Sequence, residues 1–99
     1  MARFDVYLSP DGPGYLLDVQ SDLLEVLNTR MVVPLLPLAD APTPARRLNP
    51  VFDLDGAPHV MVTQFMAALP SAAIAAPVGS LSDQSEQITA AIDMLMQGF

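Results

Sequence analysis

The chain has 99 residues, no cysteine and no lysine, 11 acidic against 4 basic side chains, a net charge of −7 and an apolar fraction of 52%. This length suits one domain over residues 1–99, with a thin core, since a fold so small buries only about 60–65% of its unfolded surface. Without cysteine there are no disulfides, thiol nucleophiles or thiolate zinc sites. The acid excess argues against direct nucleic-acid binding, which needs a basic footprint on the phosphates.

No apolar run reaches the roughly 18 residues of a membrane span, and Met1–Asp5 lacks the apolar core of a signal peptide. The expectation is a cytoplasmic protein without membrane contact. Apolar residues exceed the about 45–50% usual for soluble domains. That surplus predicts a buried oligomer interface, with a two-fold homodimer as the commonest arrangement.

Arg3 to Leu8 alternates, with Phe4, Val6 and Leu8 on one face and Arg3, Asp5 and Tyr7 on the other, the period of a half-buried strand. Ser9-Pro10-Asp11-Gly12-Pro13-Gly14 is a turn cluster. Tyr15 to Gln20 alternates again, with Tyr15, Leu17 and Val19 together, so the two strands read as a hairpin with a long loop. Ser21 to Thr29 leaves the sheet and is too short to secure a helix by itself.

Met31 to Leu38 is almost continuously apolar, as in a strand covered on both faces. Pro34 and Pro37 lack ladder donors and push it toward an edge or a bulge, where a second subunit would supply the cover. Ala39 to Pro50 reads as a stiff surface loop with Pro42, Pro44 and Arg46-Arg47. Asp55-Gly56 between Val51–Leu54 and Ala57–Thr63 is the strongest hairpin signal in the chain. Leu69 to Ala75 is expected to add one more strand, ended by Pro77-Val78-Gly79.

Ser82 or Asp83 opens a terminal helix, with Asp83-x-x-Glu86 spaced as a capping box. Ile88, Ala91, Ile92, Leu95 and Phe99 follow as one apolar stripe, and Gly98 stops the helix. Short strands and one terminal helix make the chain mainly β with a C-terminal α-helix, a small curled antiparallel sheet.

Chemistry-bearing residues are sparse. His59 is the only histidine and has no Ser or Cys nearby to activate, so it reads as a solvated or satisfied strand residue. Asp53 and Asp55 flank a turn and read as a solvated edge. Asp18 and Asp22 supply too few oxygens for a calcium loop. There is no phosphate loop or dinucleotide fingerprint. No catalytic residue, metal ligand or cofactor is assigned, and the chain reads as a non-enzyme. Of the methionines, Met61, Met66 and Met96 read mostly as gap-fillers, and Met94 is expected to face solvent or a partner.

Several short stretches keep their order and spacing with those of a known family. They are Asp18-Val19-Gln20-Ser21-Asp22-Leu23-Leu24, Arg30-Met31-Val32-Val33-Pro34-Leu35, Leu48-x-Pro50-Val51, Thr63-x-x-Met66-Ala67-x-x-Pro70, Leu81-Ser82, and Ala91-Ile92 with the closing Gly98. In these the chain resembles the CcdB family of bacterial toxins, nearly without gaps from about Tyr15 to Phe99. The resemblance implies an SH3-like barrel with a C-terminal helix. It also implies a homodimer that binds the DNA gyrase A subunit, traps the gyrase–DNA complex without chemistry of its own, and is neutralised by a cognate antitoxin. Carried over residue by residue, the gyrase-binding surface is Ser21, Leu23 and Leu24 in the loop, with Asp93, Gln97, Gly98 and Phe99 at the helix tip.

Two positions depart from the family's toxins, which place a tryptophan where this chain has Gln97 and an aliphatic residue where it has Phe99. Phe99 has two places open to it, exposed at the tip or folded back on the sheet. The departure keeps a second reading in play, a paralogue that binds an antitoxin or a regulator but no longer poisons gyrase. A third, an mRNA-cleaving toxin on the same barrel, is disfavoured by the acid excess and scarce His and Arg.

Overall fold

In the computed structural model, which describes every residue from Met1 to Phe99, the sharpest local signal in the sequence becomes the sharpest turn. Asp55 and Gly56 take φ of 53° and 79°, the doubly positive geometry whose twist matches paired strands. They join β4 (Val51–Leu54) to β5 (Ala57–Met61), with Leu54 opposite Ala57. The first hairpin also forms as read: β1 (Asp5–Leu8) pairs with β2 (Tyr15–Asp18) across the long Ser9–Gly14 connection.

β3 (Thr29–Pro37) corrects the expectation of an edge. It is central, pairing with β2 on one side and with both β5 and β6 (Ala67–Pro70) on the other. β6 covers Thr29–Val32 and β5 covers Leu35–Pro37, so Pro34 falls in the interval between the two partners. The hydrogen bond from Val19 N to Met31 O sets the alternation that turns the Pro34 nitrogen away from β2. On the other side the Pro34 carbonyl accepts from Val62 N at 3.0 Å, and the Val62 carbonyl that would have met the missing donor accepts from Phe65 N at 2.9 Å instead. The apolar run is therefore covered by the chain's own strands.

The remaining corrections lie in the second half. The expected Leu69–Ala75 strand is β6, shifted earlier, and Ser71–Ala73 forms a 3-10 turn. Pro77-Val78-Gly79 does not simply end it: Gly79–Ser80 makes a short β7 against β1. The seven strands run β4-β5-β3-β2-β1-β7 with β6 beside β3. The result is a curled antiparallel half-barrel closed over by one helix, α1 (Ser85–Gln97). The capping box is not made, because Ser82–Gln84 forms a 3-10 turn first and Gln84 takes the N-cap without a side-chain bond.

The concave face and α1 share the core. Phe4, Val6, Leu17, Val33, Leu35 and Ile88 are among its buried members, with Phe52, Met61 and Ala91. Leu8, expected beside Phe4 and Val6, is exposed because β1 ends there. Phe4 sits at positive φ, 74°, held by its N–H to Asp18 O at 2.7 Å and its carbonyl to Leu81 N at 2.9 Å. A bulky residue keeps such a conformation only when its surroundings over-determine it.

The outer face carries a second, smaller cluster of Tyr7, Leu16 and Val32, covered by Leu69 and Ile74. The chain from β6 to β7 crosses here, from the flank of β3 to the far side of β1. This crossing buries an ion pair that the sequence reading did not find. Asp18 Oδ2 accepts from Arg30 Nε at 2.8 Å, with Nη2 2.7 Å from the same oxygen, so the contact is one aligned hydrogen bond plus a charge rather than a fork. Asp18 Oδ1 accepts from Gln20 N at 3.0 Å. Burial pushes the Asp18 carboxyl above its ordinary value, against the opposing pull of these hydrogen bonds and of Arg30. Burial, helped by the Asp5 and Asp18 charges, also pushes the Tyr7 phenol up to about 12.

Candidate functional site

The loop after β2 has a rigid base and an apolar crown. Gln20, almost buried, bridges the base: its Oε1 accepts from Met31 N at 3.0 Å and its Nε2 donates to Leu24 O at 3.1 Å. Ser21 Oγ accepts from Leu23 N at 3.2 Å, capping a single 3-10 turn over Asp22–Leu24. Asp22 Oδ1 accepts from Arg3 N at 2.8 Å and ties the turn to the N-terminal segment. With the backbone so fixed, Leu23 is 92% exposed and Leu24 47%. Both leucines therefore stand outside the core. Val26, at 89%, belongs to the same crown and was missed by the sequence reading; the signal was there, as an apolar residue in a segment that leaves the sheet.

At the other end of the chain, Gly98 adopts φ 81° and ψ 13° and donates its N–H to Met94 O at 3.1 Å. That left-handed stop suits glycine, which has no Cβ to clash. It directs Phe99 off the helix rather than along its stripe, and Phe99 is 70% exposed. Of the two places open to it, the ring occupies the tip. Gln97 Nε2 donates to Asp93 Oδ1 at 3.3 Å, one helical turn back. Leu95 and Met96 are exposed beside them. Met94, expected to face solvent or a partner, is half-buried, and Met96 is the outward one.

Between loop and helix lies an open groove of about 440 Å³, lined by Ser21, Leu24, Leu27, Met31, Met66 and Ile92 among others. It brings Ser21 and Leu24 opposite the helix face at Ile92. Leu23, Asp93, Gln97, Gly98 and Phe99 do not line it. The carried-over residues thus form two patches, exposed except at the half-buried Asp93, and only the first borders the groove.

Nothing in this surface is arranged for bond-making. Its polar atoms cap a turn or pair along a helix. His59 lies elsewhere, nearly buried on β5, where Nδ1–H donates to Ala57 O at 2.9 Å and the ring meets Tyr15 edge-on at 5.1 Å. The arrangement offers rigid backbone and exposed apolar side chains, the requirements of protein docking.

Compared with known families, residues 3–98 match the model of the CcdB protein. The chain belongs to the CcdB family. Membership places it among toxin–antitoxin proteins of the gyrase-targeting kind, which are poisons rather than classical enzymes. The curled half-barrel with its C-terminal helix agrees with a CcdB-like fold.

Proposed function

We propose that this CcdB-family chain is the toxin of a toxin–antitoxin module, that it binds the DNA gyrase A subunit and traps the gyrase–DNA complex, and that a cognate antitoxin neutralises it. The reading rests on the family match across residues 3–98. The apolar loop crown and the exposed Phe99 tip support it, because large aromatic and aliphatic groups held outside a core are what a protein partner buries. Ser21, Leu23, Leu24, Asp93, Gln97, Gly98 and Phe99 are the proposed contact residues.

One observation favours a second reading, the paralogue that no longer poisons. Gln97 stands where the family's toxins carry a tryptophan, and it bonds to Asp93 within its own helix. Two of the proposed contact residues thereby satisfy each other. Losing an aromatic anchor costs about 2–4 kcal/mol of binding, or roughly 30- to 1000-fold.

Purified protein added to gyrase, ATP and supercoiled plasmid separates the two. The toxin reading expects cleaved complexes to accumulate, and deletion of Gly98-Phe99 to abolish them. A wild-type protein that leaves gyrase untouched while Gln97→Trp poisons it would establish the disarmed paralogue. Wild-type poisoning unaffected by the deletion would show that the contact surface lies elsewhere.

A further inference from the structure

The half-barrel is open along one seam, between its two end strands β4 and β7. β4 pairs only with β5. The two-residue turn makes Leu54 and Ala57 a hydrogen-bonded pair, and Pro50 O accepts from Met61 N in the same phase. Phe52 therefore shares its backbone groups with β5, while Val51 and Asp53 turn their N–H and C=O into the seam. An edge of this kind is a template for another strand.

A cavity opens at each end of the seam, with side chains from both of its banks. Near the hairpin tip lies an apolar well of about 310 Å³, with Leu8, Tyr15, Leu54 and Val78 in its wall. Toward the start of the helix lies a more polar one of about 440 Å³, with Asp53, Asp83, Gln84 and Gln87. No Arg borders either cavity, while Asp53, Asp55 and Asp83 do. None of these carboxylates is in an ion pair or a side-chain hydrogen bond.

We infer that the β4–β7 seam is a docking groove for an extended segment of a partner protein. That segment adds a strand to β4, places an apolar side chain in the Leu54–Val78 well and sets a lysine or arginine against Asp53 and Asp83. Main-chain bonds to Val51 and Asp53 supply the affinity, and the well and the acids supply the selectivity. The groove shares no residue with the loop or the helix tip. The inference stands whether or not gyrase is the target.

The test uses a synthetic strand-forming peptide of about ten residues, alternating valine and threonine and carrying a pair of lysines, beside its glutamate counterpart. Amide exchange followed by NMR on the full chain should show protection of Val51 and Asp53 with the lysine peptide and none with the glutamate peptide. Asp53→Lys combined with Asp83→Lys should weaken the lysine peptide at least about tenfold and favour the glutamate one. Asp53→Pro removes an outward donor but no β5 bond, so it should fold with unchanged circular dichroism and lose the peptide. Equal binding of both peptides, or protection confined to the Ser21–Leu27 loop, would overturn the inference. So would protection of Val51 and Asp53 that rises with protein concentration alone, since a second copy would then occupy the edge.

Discussion

At the scale of single residues, the Asp18–Arg30 pair is the costliest feature to disturb. Arg30 is 2% exposed and Asp18 fully buried, so removing one partner leaves a charge stranded where water cannot reach it. Asp18→Asn should cost about 3–5 kcal/mol in urea unfolding, whereas Asp18→Leu with Arg30→Met should recover most of the loss, since replacing a whole buried pair is often neutral. The pH dependence has a definite sign. The Asp18 carboxyl lies above 3.8 when folded, so in the window just above that value the folded chain holds a proton that the unfolded chain has released. Stability from this group falls as pH rises through that window, and the slope should vanish in the double variant. Asp18 and Arg30 were both legible as polar letters in apolar strands. Their pairing was not, because it depends on the register of β2 against β3 and on a crossing segment that local pattern does not reveal.

At the scale of elements, what the sequence disclosed follows what local chemistry controls. The Asp55-Gly56 turn, the first hairpin and the Gly98 stop were readable because each rests on a backbone geometry that few residues adopt. The Met31–Leu38 run was readable as a doubly covered strand, yet its prolines pointed to an edge. What reconciles them is a change of partner at Pro34, a tertiary fact. Asp83 and Glu86 suggested a cap that the preceding 3-10 turn pre-empts. The candidate site was legible only through the family resemblance, and the structure adds that Leu23 and Phe99 are exposed. Helix α1 divides sharply between folding and surface: Ile88 is fully buried in the core and the tip is not. Ile88→Ala should therefore destabilise by about 2–5 kcal/mol. Deleting Gly98-Phe99 should leave the thermal midpoint nearly unchanged. Differential scanning calorimetry on the two variants checks both.

At the scale of the whole molecule, the apolar surplus is only partly used inside the chain. Leu24, Leu27, Met31, Leu95 and Met96 remain exposed around the groove and the last helical turn. We propose that a two-fold homodimer covers part of this surface, drawing on Met31 of β3 and the end of α1 rather than on the whole strand. Light scattering at micromolar concentration should give twice the monomer mass, and Met31→Glu with Met96→Glu should return a monomer; a wild-type monomer would remove the proposal. The partner change at Pro34 also bears on motion. β3 is the one strand clasped by three others, yet between its β6-paired and β5-paired halves Pro34 offers only its carbonyl, which accepts from Val62 N at 3.0 Å, and no donor. The sheet is hinged there in energy, though continuous in chain. The β6 flank, with the crossing segment behind it, can therefore open as its own cooperative unit while the β4–β5 hairpin stays closed. Native-state hydrogen exchange should find the Ala67 and Leu69 amides, which face β3, released by a smaller opening free energy than those of Val60 and Met61. The ion pair beneath the crossing segment would meet water during that smaller opening, without global unfolding.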